Sequence, residues 1–299
     1  MRILVLGGTG YLGRHVAARL RALPGARILA AGRSATAEFG VDIAVDPVER
    51  LAKTLAAAAP DAVVSCAGTT GGDPVTLAEA NARGPAVLCA ALREAAPTAR
   101  LVHLGSAAEY GPGVPGTPVT ESAPARPVTL YGATKLAGTL AITTSALDAV
   151  VLRVGNPVGP GAPVASLPGR MVSLLRSAGP NPDAVLRLGD LSAHRDFVDV
   201  RDVAQAVTLA VTTPRRLPAV LNIGGGTATA VRELVCMLAG QAGFRGQLEE
   251  STGGSVRSAP VSWQCSDISA AARALGWRPA HTLDDALTAL WSATTESAP

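Results

Sequence analysis

Tyr131 and Lys135 stand four residues apart in Leu130-Tyr131-Gly132-Ala133-Thr134-Lys135-Leu136-Ala137, a segment that reads as a helix with both side chains on one face. An ammonium beside a phenol stabilises the phenolate and lowers its pKa, which makes the tyrosine a usable acid near neutral pH. Tyr-x-x-x-Lys also arises by chance, so its place in the chain matters. It follows Ser106, the residue that ends Leu101-Val102-His103-Leu104-Gly105, at a separation that lets the side chains meet. A hydroxyl at the C-terminal end of a strand projects into a crevice and can hold a carbonyl oxygen. A serine there also serves simply as a turn residue.

The second group is Gly7-Gly8-Thr9-Gly10-Tyr11-Leu12-Gly13, set between Ile3-Leu4-Val5-Leu6 and the helix-like His15-Val16-Ala17-Ala18-Arg19-Leu20. Strand, tight turn and helix in that order form a dinucleotide cradle. Gly7 permits the turn, Gly10 lets a phosphate approach, and Gly13 lets the helix pack on the sheet. The helix N-terminus offers unpaired N–H groups to a pyrophosphate. The next apolar run ends in Gly32-Arg33-Ser34, without the acidic residue that would accept hydrogen bonds from a ribose 2′-OH. Arg33 can grip a 2′-phosphate and Ser34 can donate to it, so NADP(H) is favoured over NAD(H). Arg33 also reads as a solvated loop residue. Asp46 suits the adenine edge and a helix N-cap equally.

Apolar runs at residues 2–6, 27–31, 62–66, 100–104 and 149–153 alternate with Ala-rich amphipathic segments. That rhythm predicts an α/β fold, a Rossmann-type doubly wound parallel sheet, with ligands at the carboxyl ends of the strands. The stretch Asn156-Pro157-Val158-Gly159-Pro160 breaks the rhythm. A helix from Arg170 to Ser177 and a strand from Val185 to Leu188 follow. A helix from Asp202 and a strand from Val220 to Ile223 return to the first lobe. The expected organisation is a dinucleotide-binding lobe of residues 1–156 plus about 195–223, and a smaller C-terminal α/β substrate lobe of 157–194 plus 224–299.

Composition narrows the partners. Of 299 residues, 48% are hydrophobic, 16% charged and 3% aromatic, with a net charge of +3. A buried core is implied; a nucleic-acid surface or a membrane span is not. Cys66, Cys89, Cys236 and Cys265 are widely spaced, which fits buried thiols in a reducing cytoplasm and no metal site. No secretory signal is visible.

The ordered set Gly7-x-x-Gly10-x-x-Gly13, Ser106 with Tyr110-Gly111, and Tyr131-x-x-x-Lys135 resembles the extended short-chain dehydrogenase/reductase family. Leu152-Arg153-Val154-Gly155-Asn156-Pro157, Arg195-Asp196-Phe197-Val198-Asp199 and Ala274-Leu275-Gly276-Trp277-Arg278-Pro279 extend the likeness over essentially the whole chain. The resemblance implies that Tyr131 is the acid/base and that Lys135 supports it and holds the nicotinamide ribose. Ser106 would bind the reacting oxygen, and Asn156 would line the substrate site. Arg195 would meet a substrate diphosphate, or else pair with Asp196, Asp199 or Asp202. Thr9, Tyr11, Leu12, Ala67, Gly68 and Asn81 would belong to the cofactor site. Val158 departs from the family, which usually has an aromatic at that place.

Family dehydratases carry an acidic pair after the Ser106 position, where this chain has Ala107 and Ala108; Glu109, on strand-like alternation, would point elsewhere. The run Gly105-Ser106-Ala107-Ala108-Glu109-Tyr110-Gly111 is similar to the family's 4-keto-6-deoxyhexose reductases. The expectation is therefore NADPH-dependent reduction of a ketone, C4 of a nucleotide-linked 6-deoxysugar, by a homodimer joined near residues 79–95 and 131–146. The alternatives are an NAD-dependent epimerase, a ketoreductase of a polyketide-like substrate, and a non-catalytic dinucleotide sensor. His103 reads as packed core, and Trp263, Trp277 and Trp291 as the core of the second lobe.

Overall fold

Residues 1–251 and 261–295 are described by the structure, a computed structural model. The parts of the expected substrate lobe at 252–260 and 296–299 lie outside the described residues.

The first half of the chain alternates strand and helix: β1 (Arg2–Leu6), α1 (Tyr11–Arg21), β2 (Arg27–Gly32), β3 (Phe39–Gly40), α2 (Val48–Ala58) and β4 (Ala62–Ser65). Then come α3 (Pro74–Ala78), α4 (Gly84–Ala95), β5 (Arg100–Ser106), α5 (Leu130–Thr143) and β6 (Ala149–Val154). With β10 (Val220–Ile223) these strands form one seven-stranded sheet in the order β10-β6-β5-β4-β1-β2-β3, parallel throughout. Helices cover both faces, which is why the strands are continuous apolar runs. On one face Val16 and Leu20 of α1 meet Val203 and Val207 of α7 (Val200–Thr212) over Ile3, Val5 and Val102. On the other, Leu51 and Leu55 of α2, Leu88 and Leu92 of α4, and Ile142 of α5 cover Leu4, Leu6 and Val63. The observed strands lie where the apolar runs place them, with the short β3 added at the edge.

After β6 the chain leaves this sheet. β7 (Asn156–Val158) pairs with β9 (His194–Asp199), which also pairs with β11 (Ala228–Ala230). Thus Asn156 already belongs to the smaller sheet, and the return to the large one begins at α7. β8 (Val185–Leu188) pairs with β12 (Gln247–Glu250). Around them α6 (Leu167–Ala178), α8 (Val231–Gln241) and α10 (Leu283–Thr295) bury Leu175, Leu234, Leu238 and Leu287 in a separate core. Val158 is fully buried in that core, so its side chain fills the lobe's interior.

Trp277 departs from expectation. It follows α9 (Ser269–Leu275), and it packs into the first lobe's core with its Nε1 donating to the Asp202 carbonyl at 3.0 Å. The Asp202 carboxylate accepts from the Ala280 and His281 N–H groups and meets the His281 ring at 2.8 Å. One helical aspartate thereby pins the C-terminal segment against α7. Trp291 does pack on the second lobe's core, and Trp263 is buried between β9 and Gly113. Among the described residues, no helix is long and apolar enough to cross a membrane.

Candidate active site

β1 lies between β2 and β4, so the connections leaving it and its neighbour diverge to opposite faces and open a crevice at the carboxyl edge. A cleft of about 630 Å³ occupies this place, lined by the turn after β1, by Arg33 and Ser34 after β2, and by Cys66, Ala67 and Gly68 after β4. Gly7 turns the chain at a φ of +74°. A Cβ on Gly13 would collide with the Gly7 carbonyl oxygen, so glycine there is a packing requirement. The N–H of Arg14 is the first to close on Gly10, which leaves those of Tyr11, Leu12 and Gly13 at the helix start without an intrahelical acceptor. No acidic residue occupies that first turn. Gly7, Thr9 and Gly10 of the lining, with these amides, suit a dinucleotide's pyrophosphate.

The side chains nearby differ in part from expectation. The Tyr11 hydroxyl points to the Gly159 carbonyl oxygen at 3.3 Å, so this residue offers the cleft its backbone amide rather than its phenol. Arg33 is largely exposed, with its guanidinium 3.9 Å from Asp42, and Ser34 meets the Thr36 hydroxyl at 2.8 Å. Asp46 is not among the residues lining the cleft, and the N-cap of α2 is Pro47. Its carboxylate instead accepts from the Asp42 N–H and faces Arg50 at 3.4 Å. Asp42 and Glu79, which the sequence did not single out, are the acidic residues of the lining.

Ser106 is the last residue of β5, and its hydroxyl accepts from the Ala108 N–H at 3.2 Å to start the short 3₁₀ turn Ala107–Glu109. Glu109 therefore sits on a turn, not on a continuing strand. Thr129 caps α5 by accepting from Gly132 N–H at 3.1 Å, which sets Tyr131 in the first turn. The Ser106 hydroxyl lies close enough to Tyr131 to act on its phenol. Lys135 follows one turn later, buried, with its Nζ donating to the Leu104 carbonyl at 2.6 Å and lying 3.5 Å from Nε2 of His103.

Electrostatics here differ from the simple picture of a lysine lowering a neighbouring phenol. Burial pushes the Tyr131 phenol above the usual tyrosine range, the nearby Ser106 hydroxyl opposes this, and the Glu109 charge adds to it. Burial likewise pulls Lys135 down to about 8, against the favourable charge of Glu109. Lys135 directs its ammonium to the Leu104 carbonyl at the end of β5. Burial holds the Cys66 thiol at about 12 and keeps the His103 ring well below the ordinary histidine range. His103 is fully buried and meets Ser65 at 3.1 Å, as a core residue would. Of the other thiols, Cys89 and Cys265 are buried, whereas Cys236 is exposed, contrary to expectation. Among the described residues, no cluster of three His, Cys, Asp or Glu side chains is placed to hold a metal ion.

Asn81 acts one layer behind the cleft. Pro85 has no N–H to give the carbonyl four residues earlier, and the segment Glu79–Arg83 between α3 and α4 opens into a π turn. Asn81, inside that turn, accepts from Thr69 N–H at 3.0 Å and donates to the Thr69 carbonyl at 2.9 Å and to Thr134 at 3.3 Å. It thus ties the Gly68–Thr69 wall to the helix that carries Tyr131 and Lys135. Asn156 and Arg195 lie on adjacent strands of the small sheet. Asn156 donates to the Asp196 carbonyl at 3.4 Å, and Arg195, mostly buried, donates to the His194 carbonyl at 2.8 Å. Asp199 pairs with Arg201 at 2.6 Å, and Asp196, pushed up to about 6 by burial, accepts from Ser266 and Gly226 N–H groups.

Residues 3–224 match the profile of the NAD dependent epimerase/dehydratase family. The chain is 39% identical over 306 residues to the dTDP-6-deoxy-L-talose 4-dehydrogenase (NAD(P)(+)) of Kitasatospora kifunensis, spanning 98% of this chain and 95% of that one. It is 31% identical over 240 residues to the dTDP-4-dehydrorhamnose reductase of Streptomyces griseus, spanning 77% and 73% of the two chains. Among solved structures, MoeE5 in complex with UDP-glucuronic acid and NAD superposes with a TM-score of 0.85 at 26% identity over 100% of both chains.

The Asn81 amide generates a direct test of the cleft's construction. Asn81→Ala is expected to lower stability by about 1–3 kcal/mol in urea unfolding, through unpaired buried groups. It should also weaken the binding of NADH or NADPH in a fluorescence titration. Unchanged affinity would show that the Gly68–Thr69 wall stands without this side chain.

Proposed function

The chain belongs to the NAD dependent epimerase/dehydratase family and is an NAD(P)-dependent enzyme of the extended short-chain dehydrogenase/reductase type; within it, we propose an NADPH-dependent ketoreductase acting at C4 of a nucleotide-linked 6-deoxysugar. The observation that carries this reading is the placement of Ser106, at the end of β5, near Tyr131, in the first turn of α5, with two alanines after the serine where elimination chemistry would need acids. Ala107 and Ala108 can move no proton, and Glu109 is committed to Arg153 at 2.7 Å. Both named relatives act, by their names, on a dTDP-6-deoxysugar at the C4 oxygen, one as a dehydrogenase and one as a reductase. The same groups serve both directions, because proton and hydride move reversibly.

The N-terminal amides of α1 would hold the pyrophosphate, Arg33 and Ser34 the 2′-phosphate, and Lys135 the nicotinamide ribose. The dinucleotide, when bound, supplies the hydride. The chain supplies the rest. Ser106 holds the carbonyl oxygen, and Tyr131 gives its phenolic proton to that oxygen as charge develops on it. Held above its ordinary pKa, Tyr131 carries that proton across the neutral range, as an acid should. Asn156 and Arg195 line the approach from the second lobe, Arg195 toward the substrate's diphosphate. A second copy would cover the apolar face of α5, where Leu130 and Leu140 stand exposed.

Tyr131→Phe is expected to cut turnover by about 10²–10⁴-fold, the usual contribution of a positioned acid, while NADPH still binds. Turnover equal to the parent's would contradict the mechanism. Arg33→Ala should weaken NADPH by about 10- to 100-fold with little change in NADH affinity, as expected for loss of a charge-assisted contact. Equal weakening of the two cofactors in paired titrations would show that Arg33 does not read the 2′-phosphate.

A further inference from the structure

Directly behind Ser106 lies a fully buried carboxylate that the reaction as described does not use. Glu109 accepts from the Ser106 backbone N–H with Oε1 at 2.8 Å and from Nε of Arg153 with Oε2 at 2.7 Å. Arg153 comes from β6, next to β5 in the sheet, and its guanidinium lies 4.4 Å from the centroid of the Tyr110 ring. The Tyr110 hydroxyl in turn donates to Asn222 on β10 at 2.8 Å. The clamp therefore spans three strands at the edge where the chemistry sits. Room for it is provided by Gly105, where a Cβ would stand 2.8 Å from Glu109 Oε1 and 2.6 Å from Val151. Burying a carboxylate is costly unless every oxygen is satisfied, and a turn that needed only shape would be filled more cheaply by an apolar side chain.

We propose that Glu109 is a positioning residue of this active site, clamping the backbone of Ser106 against β6 so that the serine meets Tyr131, and setting a negative charge behind the phenol. The inference rests on the assignment of Tyr131 as the acid. Two neighbouring groups act on the Tyr131 phenol. The Ser106 hydroxyl on β5 lowers its pKa, and the Glu109 charge on the following turn raises it. Lys135 on its own helix is held by Leu104, His103 is kept uncharged by burial and by Lys135, and the Cys66 thiol is neutral. Arg153 on β6 offsets part of the Glu109 charge. The carboxylate thus opposes ionisation of Tyr131 and preserves the proton that reduction requires.

The sign of the effect follows from that proton. Reduction needs the neutral phenol, so the rate falls as pH rises through the Tyr131 pKa, and removing a nearby negative charge lowers that pKa. Glu109→Gln keeps the shape and an acceptor for Ser106 but removes the charge. In the holoenzyme it should move the alkaline limb of kcat for ketone reduction down by about one pH unit, the size expected for one neighbouring charge. Glu109→Asp should return most of the shift. A Gln variant whose rate drops while its limb stays in place would reduce Glu109 to a structural role and overturn the proposal.

A second measurement needs no folded Gln variant. The difference in ultraviolet pH titration between the parent and Tyr131→Phe reads the phenol alone, and it should show ionisation above about pH 10, the free tyrosine value. Ionisation below that value would also overturn the proposal. If Tyr131→Phe retains turnover, the reaction assignment fails instead, which separates the two claims.

Discussion

Parallel pairing of β4, β1, β5 and β6 governs where chemistry is possible in this chain. Each of these strands ends at the same edge, so groups far apart in sequence arrive together: the glycine turn after β1, Gly68 after β4, Ser106 at the end of β5 and Asn156 after β6. Antiparallel pairing would send alternate ends to opposite sides of the molecule and scatter the set. The parallel arrangement demands helical crossovers, and those helices supply two further parts. The start of α1 brings unpaired amides to the cleft, and the start of α5 brings Tyr131 and Lys135.

Burial at this edge then shapes the reactivity of what it gathers. Lys135 and His103 are buried and Cys66 is half-buried, and desolvation displaces each toward its neutral form. The charges that persist are held in pairs or by backbone groups: Glu109 with Arg153, Lys135 with the Leu104 carbonyl. Buried acids away from the cleft follow the same rule. Asp196 and Asp202 are buried acids that accept backbone N–H groups from distant segments, and they fasten the returning chain to the sheet.

Features that depend on local spacing were readable in the sequence. The strand–turn–helix around Gly7 to Gly13, the helix carrying Tyr131 and Lys135, and the five apolar runs all express periodicities of the backbone itself. Features decided by side-chain direction were less so. Tyr11 sits within the cradle, yet its phenol turns to the Gly159 carbonyl. Asp46 and Asp42 are four residues apart, and only the turn that joins them decides which faces the cleft. Trp277 was placed in the wrong core because its partner, the Asp202 carbonyl, lies 75 residues away. Glu109 was expected to alternate outward, but Ser106 starts a 3₁₀ turn that carries it inward to Arg153. The glycine at 105 was the available sign of that turn-in, since it leaves the space the carboxylate fills.

The proposed reaction moves a hydride to C4 of a nucleotide-linked 6-deoxysugar and a proton from Tyr131 to the oxygen there. The most direct measurement supplies NADPH deuterated at its transferring position together with a dTDP-4-keto-6-deoxyhexose, and follows the sugar by NMR. The predicted result is deuterium at C4 of the product alcohol, with NADP+ released in equal amount. Inversion at C4 without net consumption of cofactor, or a product without deuterium at C4, would contradict it.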